Sequence, residues 1–253
     1  MATKINKIFQ KLPGNGLIFS SWMTQNNVST SEQASYIASG WIERLAQGVY
    51  IRSGSTPTVF SSIASYNEQL HKNCLIGAST ALDIHGFTHF GTVGKPTAFL
   101  FTSKTDRLPN WLLEHEWDMN IRYSTTKIFG NSMLGVEKLN VDGFQLFVSS
   151  PERAFMECLH LTPKYYSVMD LYYVMEMLTT LRPQLVGQLL EQCSSVKVKR
   201  LFMYMANKSQ HQWLHALDRS PIDLGEGKRS FAKNGAYSST YQITIPKELA
   251  EYE

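Results

Sequence analysis

Between residues 3 and 11 the apolar positions Ile5, Ile8 and Phe9 recur at helical spacing, with Lys4, Lys7 and Lys11 on the opposite side. The run Leu12-Pro13-Gly14-Asn15-Gly16 ends that helix, because proline lacks an amide donor and glycine permits backbone angles a helix cannot use. Leu17, Ile18, Trp22 and Met23 predict a second helix over 17–25, closed by Asn26-Asn27, and Val28 plugs the core between helices. Ser29-Thr30-Ser31-Glu32 sets a hydroxyl three residues before a carboxylate, the pattern that satisfies free amides at a helix start. A third helix is therefore expected from about Thr30 to Ser39. After Gly40 the period falls to two. Trp41–Leu45, a turn at Ala46-Gln47-Gly48, and Val49–Arg52 read as a hairpin. Helix, helix, turn, helix, hairpin is the winged helix-turn-helix order, in which the third helix enters the major groove and the hairpin rides on the adjacent backbone.

The small, turn-forming segment Ser53-Gly54-Ser55-Thr56-Pro57 predicts a boundary, giving a DNA-binding domain over 1–55 and a second domain over 56–253. Helices are expected at 59–72 and 79–85. Strands follow at 97–102, 120–123, 135–139 and 144–148, with a short helix near 108–113. Ser150-Pro151-Glu152-Arg153 opens a helix with Pro at its first position, and Ala154, Phe155, Cys158 and Leu159 form its inner stripe. Helices over 166–181, 182–194, 196–207 and 210–217 then precede a last strand at 241–245. Strands in one block and helices in another predict an α+β fold, a winged helix-turn-helix followed by a larger mixed domain with a helical C-terminal half.

Composition narrows the class. Apolar residues make up 43%, charged residues 18% and aromatics 12%, as in a globular protein rather than a disordered one. No apolar run is long enough to span a membrane and no signal-peptide core opens the chain, so a cytoplasmic location is expected. Cys74, Cys158 and Cys193 are scattered and read as buried, reduced thiols. Charge is distributed unevenly: residues 1–56 carry net +3, 57–194 net −3, 195–233 net +5 and 234–253 net −2. Two basic segments around an acidic middle suit a protein that presents particular faces to a polyanion.

In the winged helix, Thr30, Ser31, Gln33 and Ser35, with Tyr36 at the edge, are expected to meet base edges, since Gln pairs with adenine and Ser or Thr serves several bases. Lys4, Lys7, Arg44, Gln47 and Arg52 are expected on phosphates. In the second domain, Lys197, Arg200, Tyr204 and Lys208 fall on one side of a helix read from Val196 to Lys208, a basic and aromatic face suited to a polyanion.

Catalytic groups are sparse. Gly77-Ala78-Ser79 resembles the start of a nucleotidyltransferase site, but no paired carboxylates follow to hold magnesium; Asp118-Met119-Asn120 comes nearest. Glu114-His115-Glu116-Trp117-Asp118 reads as a solvated loop rather than a metal site, and His85 and His89 are split by Gly86. Gly225-Glu226-Gly227-Lys228 lacks the upstream strand and the hydroxyl of a phosphate loop and reads as a flexible basic loop. A non-enzymatic protein without metal or cofactor is expected, with a nucleic-acid-processing enzyme carrying a winged-helix targeting module as the alternative.

Gly40-Trp41-Ile42-Glu43-Arg44-Leu45-Ala46-Gln47-Gly48-Val49-Tyr50 resembles the wing of AbiEi-type antitoxins of type IV toxin–antitoxin systems. Ala81-Leu82-Asp83-Ile84-His85-Gly86-Phe87 and Ser150-Pro151-Glu152-Arg153-Ala154 resemble two segments of that family's C-terminal portion. The resemblance implies a winged helix that binds repeats in the chain's own promoter on double-stranded DNA and represses it. It also implies a C-terminal domain that counteracts a nucleotidyltransferase-like toxin from the same operon, with no need for a stable complex. One position departs from the family pattern, where a basic residue often precedes the wing glycine: here it is Gln47.

Overall fold

The computed structural model describes residues 4–12, 14–87, 91, 94–125, 127–130 and 133–252; Pro13 and His89 lie outside them. The chain begins with α1 (Lys4–Gln10), β1 (Leu17–Phe19), α2 (Ser20–Gln25), α3 (Thr30–Ala38), β2 (Ile42–Ala46), β3 (Val49–Arg52) and α4 (Val59–Leu70). Next come β4 (Leu75–Ile76), α5 (Ala78–Ile84), β5 (Thr97–Thr102), α6 (Asn110–Glu114), β6 (Asn120–Thr125), β7 (Val136–Val141) and β8 (Phe144–Ser149). The rest is α7 (Pro151–Leu161), α8 (Val168–Met177), α9 (Pro183–Gln192), α10 (Val196–Ser209), a 3-10 turn (Gln212–Ala216), β9 (Arg229–Ser230), β10 (Ala236–Ser238), β11 (Ile243–Ile245) and α11 (Lys247–Glu251). This is the expected α+β class. A five-stranded sheet runs in the order β6-β5-β4-β8-β7 and a small one in the order β10-β11-β9. Among the described residues, no helix is long and apolar enough to cross a membrane.

The chain forms two compact units. The first comprises Met1–Leu75, Val93–Ser124 and Lys138–Phe147. Its winged helix closes around Ile5, Ile8, Ile18, Met23, Val28, Ile42 and Tyr50, the apolar positions whose spacing marks the inner faces of α1 to α3. Residues 17–25 differ from the single helix expected. Leu17, Ile18 and Phe19 are all buried and pair antiparallel with Ile51, Tyr50 and Val49, and the helix begins only at Ser20. Three consecutive apolar residues after a glycine can serve a strand or a helix, and the empty edge of β3 decides between them.

That same strand explains why the first unit does not end at residue 55. On the side of β1 facing away from β3, Leu17 N–H donates to Ser65 Oγ at 2.9 Å and Phe19 N–H to Gln69 Oε1 at 3.0 Å. Gln69 Nε2 returns a bond to Leu17 O at 2.6 Å. Ser65 and Gln69 are buried side chains of α4, so that helix takes the place of a neighbouring strand and seals the sheet edge. Ser53–Pro57 is a turn inside this unit rather than a division between domains.

The second unit comprises Ile76–Thr92, Thr125–Glu137 and Val148–Glu253. Its centre is α7 packed on α5, with α8, α9 and α10 around it. Glu157, fully buried on α7, accepts from Arg153 Nε at 2.8 Å, Ser149 Oγ at 3.0 Å and the amide of Ala78 at 3.0 Å. Arg153 also donates to Leu134 O at 2.8 Å and lies 4.9 Å over the Phe129 ring. Both oxygens of Glu157 and the Nε and Nη1 of Arg153 are thereby paired, as a charge inside a core requires.

Candidate nucleic-acid interface

The surface expected to meet DNA is α3 with the wing. Helix α3 starts as its sequence requires: Glu32 N–H donates to Ser29 Oγ at 3.3 Å and Ser29 N–H to Glu32 Oε2 at 2.8 Å, a complete capping box. Thr30, Ser31, Ala34 and Ser35 are exposed along its outer face, while Tyr36 and Ile37 are half-buried against the winged-helix core. The outer face is thus made of hydroxyls and methyl groups. Such short side chains let a helix lie close to base edges without a long side chain in between.

Gln33 is not part of that face. It is 3% exposed; its Oε1 accepts from Ser20 Oγ at 2.7 Å, and its Nε2 donates to Val28 O and Thr24 Oγ1, both at 3.2 Å. The expectation that it reads adenine is corrected: its amide fixes α2 against α3. The signal was present in the spacing, because position 33 shares the inner stripe with 36 and 37 on a helix.

The expected phosphate contacts divide into two groups. Lys7, Arg44 and Gln47 are exposed, on α1, β2 and the wing turn respectively. Gly48 makes that turn with φ +71°, a backbone conformation natural to glycine, and its carbonyl accepts Ser20 N–H at 2.9 Å. Lys4 and Arg52 are exposed but engaged. Lys4 Nζ donates to Glu32 Oε1 at 2.8 Å and Asn27 O at 3.1 Å, and the Arg52 guanidinium lies 4.9 Å over the Phe9 ring. The bond from Lys4, followed by those from the Ser29 amide and hydroxyl, pulls the Glu32 carboxyl down to about 2. Lys4 therefore offsets the one carboxylate in the first turn of α3.

The basic face expected on α10 does not exist as a free surface. Arg200 is 1% exposed and donates to the carbonyls of Leu224 at 2.7 Å, Gly225 at 2.8 Å, Gly227 at 2.5 Å and Gln242 at 3.3 Å. Lys197 Nζ donates to His160 O and Thr162 O, each at 2.7 Å, and burial lowers its affinity for protons. Lys208 Nζ bonds Tyr252 O at 2.5 Å, and Tyr204 is half-buried edge-on to Tyr241. All three cations serve as brackets for carbonyls. Gly225-Glu226-Gly227-Lys228, expected to be flexible, is held by Arg200. A side chain at Gly225, where φ is +64°, would meet Val196 at 2.7 Å.

The remaining candidates for chemistry take part in packing and capping contacts. Ala78 and Ser79 are buried, with the Ser79 hydroxyl accepting from the Tyr166 hydroxyl at 2.9 Å. His85 Nε2 lies 3.1 Å from Ser149 O, so the segments 81–87 and 150–154 meet across α5 and α7. Asp118 caps α4 by accepting Val59 N–H at 2.8 Å, and Trp117 is buried with its indole N–H on Leu112 O. Among the described residues, no group of three His, Cys, Asp or Glu is placed to hold a metal. The three cysteines are free and buried, and burial raises each thiol.

Comparison with known proteins agrees with this architecture. Among curated proteins none matches the chain. The crystal structure of the RV2827C protein from Mycobacterium tuberculosis is similar in fold, with TM-score 0.64 and 11% identity over 95% of this chain and 89% of that one. Residues 1–92 match the N-terminal domain of the AbiEi antitoxin transcriptional regulators, and residues 95–246 match the AbiEi antitoxins described as transcriptional regulators of type IV toxin–antitoxin systems. With a winged helix at its start and family matches along nearly its whole length, the chain belongs to the AbiEi family of antitoxin transcriptional regulators.

Proposed function

We propose that this protein is a repressor of its own operon, binding double-stranded DNA with α3 in the major groove and the wing on the adjacent backbone. One observation carries the reading: the outer face of α3 presents Thr30, Ser31 and Ser35 to solvent, and Lys7 on α1 and Arg44 on β2 of the same winged helix are exposed. Hydroxyls on the helix serve base edges or phosphates, and the cations supply the salt-dependent attraction. The second compact unit carries the antitoxin role and counteracts a nucleotidyltransferase-like toxin encoded alongside. Its buried bracket residues support a scaffold rather than a catalytic centre.

The test is a reporter driven by the DNA upstream of the chain's own gene. Expression of the intact chain lowers reporter output, and a Thr30→Ala, Ser31→Ala, Ser35→Ala variant that melts normally relieves the repression. Repression that survives in that variant contradicts the assignment of α3 as the reading helix. Co-expression with the neighbouring toxin gene tests the second role: growth is restored by the intact chain, and failure to restore it rejects the antitoxin reading.

A further inference from the structure

Gln47 gives the tip of the wing no charge, but a cation reaches the same place from far along the chain. After β5 the segment 103–109 runs back through the first unit before α6 begins. Asp106 is fixed there by an ion pair with Lys72 at 2.6 Å and by its amide on Ser103 O at 3.2 Å. Leu108 is buried, and its amide donates to the Tyr123 hydroxyl at 3.2 Å, which in turn lies 2.7 Å from Thr102 Oγ1. Arg107 stands between these two anchored neighbours with its own side chain exposed. Among the described residues the ion pairs involve Lys4, Lys72, Arg153 and Arg182, and leave Arg107 out. Together with Ser21, Gln47, Gly48 and Trp111, Arg107 lines a surface depression of about 330 Å³.

We propose that Arg107 is a phosphate contact of the DNA-binding surface, so that the footprint of this protein includes the loop between β5 and α6 as well as the winged helix. The inference rests on the reading that α3 and the wing bind DNA. A wing lies on the sugar-phosphate backbone, so a cation sharing a depression with its tip faces the same row of phosphates. The guanidinium fork matches two phosphate oxygens and is less strongly hydrated than an ammonium, while the Ser21 hydroxyl and Gln47 amide add neutral donors beside it. Anchoring on both sides of Arg107 means that little backbone order remains to be lost on binding. A small anionic ligand fits less well, because among the described residues Arg107 is the one cation lining the depression, whose walls are apolar at Phe19, Val49 and Leu70.

The experiment titrates the intact chain and its Arg107→Ala variant against two duplexes of equal length, the DNA upstream of its own gene and a random sequence, over a range of salt. Removing one phosphate contact weakens binding to both duplexes by a similar factor, roughly 3–10-fold, and reduces the slope of log K against log salt by about 0.9. Gln47→Arg added to Arg107→Ala returns a cation to the same depression and restores the slope. Unchanged affinity and slope for Arg107→Ala, while the intact chain binds, overturn the proposal. A vanished preference for the upstream duplex at unchanged slope also overturns it, since the residue then acts through α3. An intact chain that binds neither duplex removes the DNA-binding reading itself, and this inference with it.

Discussion

Replacing Gln33 separates two roles that one sequence position can have. In Gln33→Ala the Ser20 hydroxyl loses its acceptor and the Val28 carbonyl loses its donor, both inside the junction of α2 and α3. A buried partner left without its bond costs about 1–3 kcal/mol, and Ser20, being only half-buried, recovers part of its share from water. The missing methylene adds about 0.8 kcal/mol. A total of about 2–3 kcal/mol corresponds to a melting temperature lower by roughly 5–10 °C for a protein of this size. Gln33→Glu keeps the length of the side chain but turns the donor facing Val28 O into an acceptor. Burial raises that carboxyl above its unfolded value, so this variant keeps its stability below the unfolded carboxylate value and loses it as pH rises from there through the raised folded one. Circular dichroism melts supply the stability, and duplex titrations well below the melting temperature supply the affinity. A bracket residue lowers the melt and leaves the preference for the upstream duplex intact. An unchanged melt combined with a vanished preference refutes the buried-bracket assignment and returns Gln33 to base reading.

Other expectations follow from the same kind of pairing. Glu157→Ala leaves Arg153 buried with one charge partner gone, so the variant unfolds about 3–5 kcal/mol more easily in denaturant, whereas an exposed pair costs far less. Arg200→Met removes four carbonyl contacts, and hydrogen exchange of residues 224–228 accelerates while that of α3 does not change. Glu32 is lowered from 4.5 to about 2 in the folded state, so its contribution is present above about pH 4.5 and lost as pH falls toward 2. Melts of Glu32→Gln over that interval are accordingly flatter with pH than those of the unsubstituted chain, and parallel curves reject the Lys4–Glu32 pairing.

Features set by neighbours in sequence were legible from the sequence. The capping box of α3 needs only Ser29 and Glu32, the wing turn needs only Gly48, and Pro151 at the first position of α7 follows from its missing amide. The strands 97–102 and 144–148 could be read because both hold continuous or alternating apolar positions between turn residues. Features set by distant partners were not legible. Arg200 has the spacing of an exposed face with Lys197 and Tyr204, but the carbonyls that bury it lie 24 to 42 residues further on. The division expected after residue 55 relied on local turn composition, while the bonds from Ser65 and Gln69 to β1 span about 50 residues. Within the candidate interface, helical period alone predicts the exposure of Thr30, Ser31 and Ser35 on the outer face of α3. Gln33 leaves that face because the same period sets it on the inner stripe with positions 36 and 37, where its amide finds buried partners despite its polarity. Arg107 carries no local signal at all, since only the fold sets it beside the wing.

The most direct test of α3 as the reading helix is a competition titration. Labelled upstream duplex is displaced from the intact chain, and from the Thr30→Ala, Ser31→Ala, Ser35→Ala variant, by unlabelled upstream or random duplex at one fixed salt concentration. Removing a good base contact lowers discrimination by about 1–3 kcal/mol, so the variant's preference for the upstream duplex is expected to collapse while its binding to random duplex persists. A variant that discriminates between the two duplexes as sharply as the intact chain contradicts the placement of α3 in the major groove.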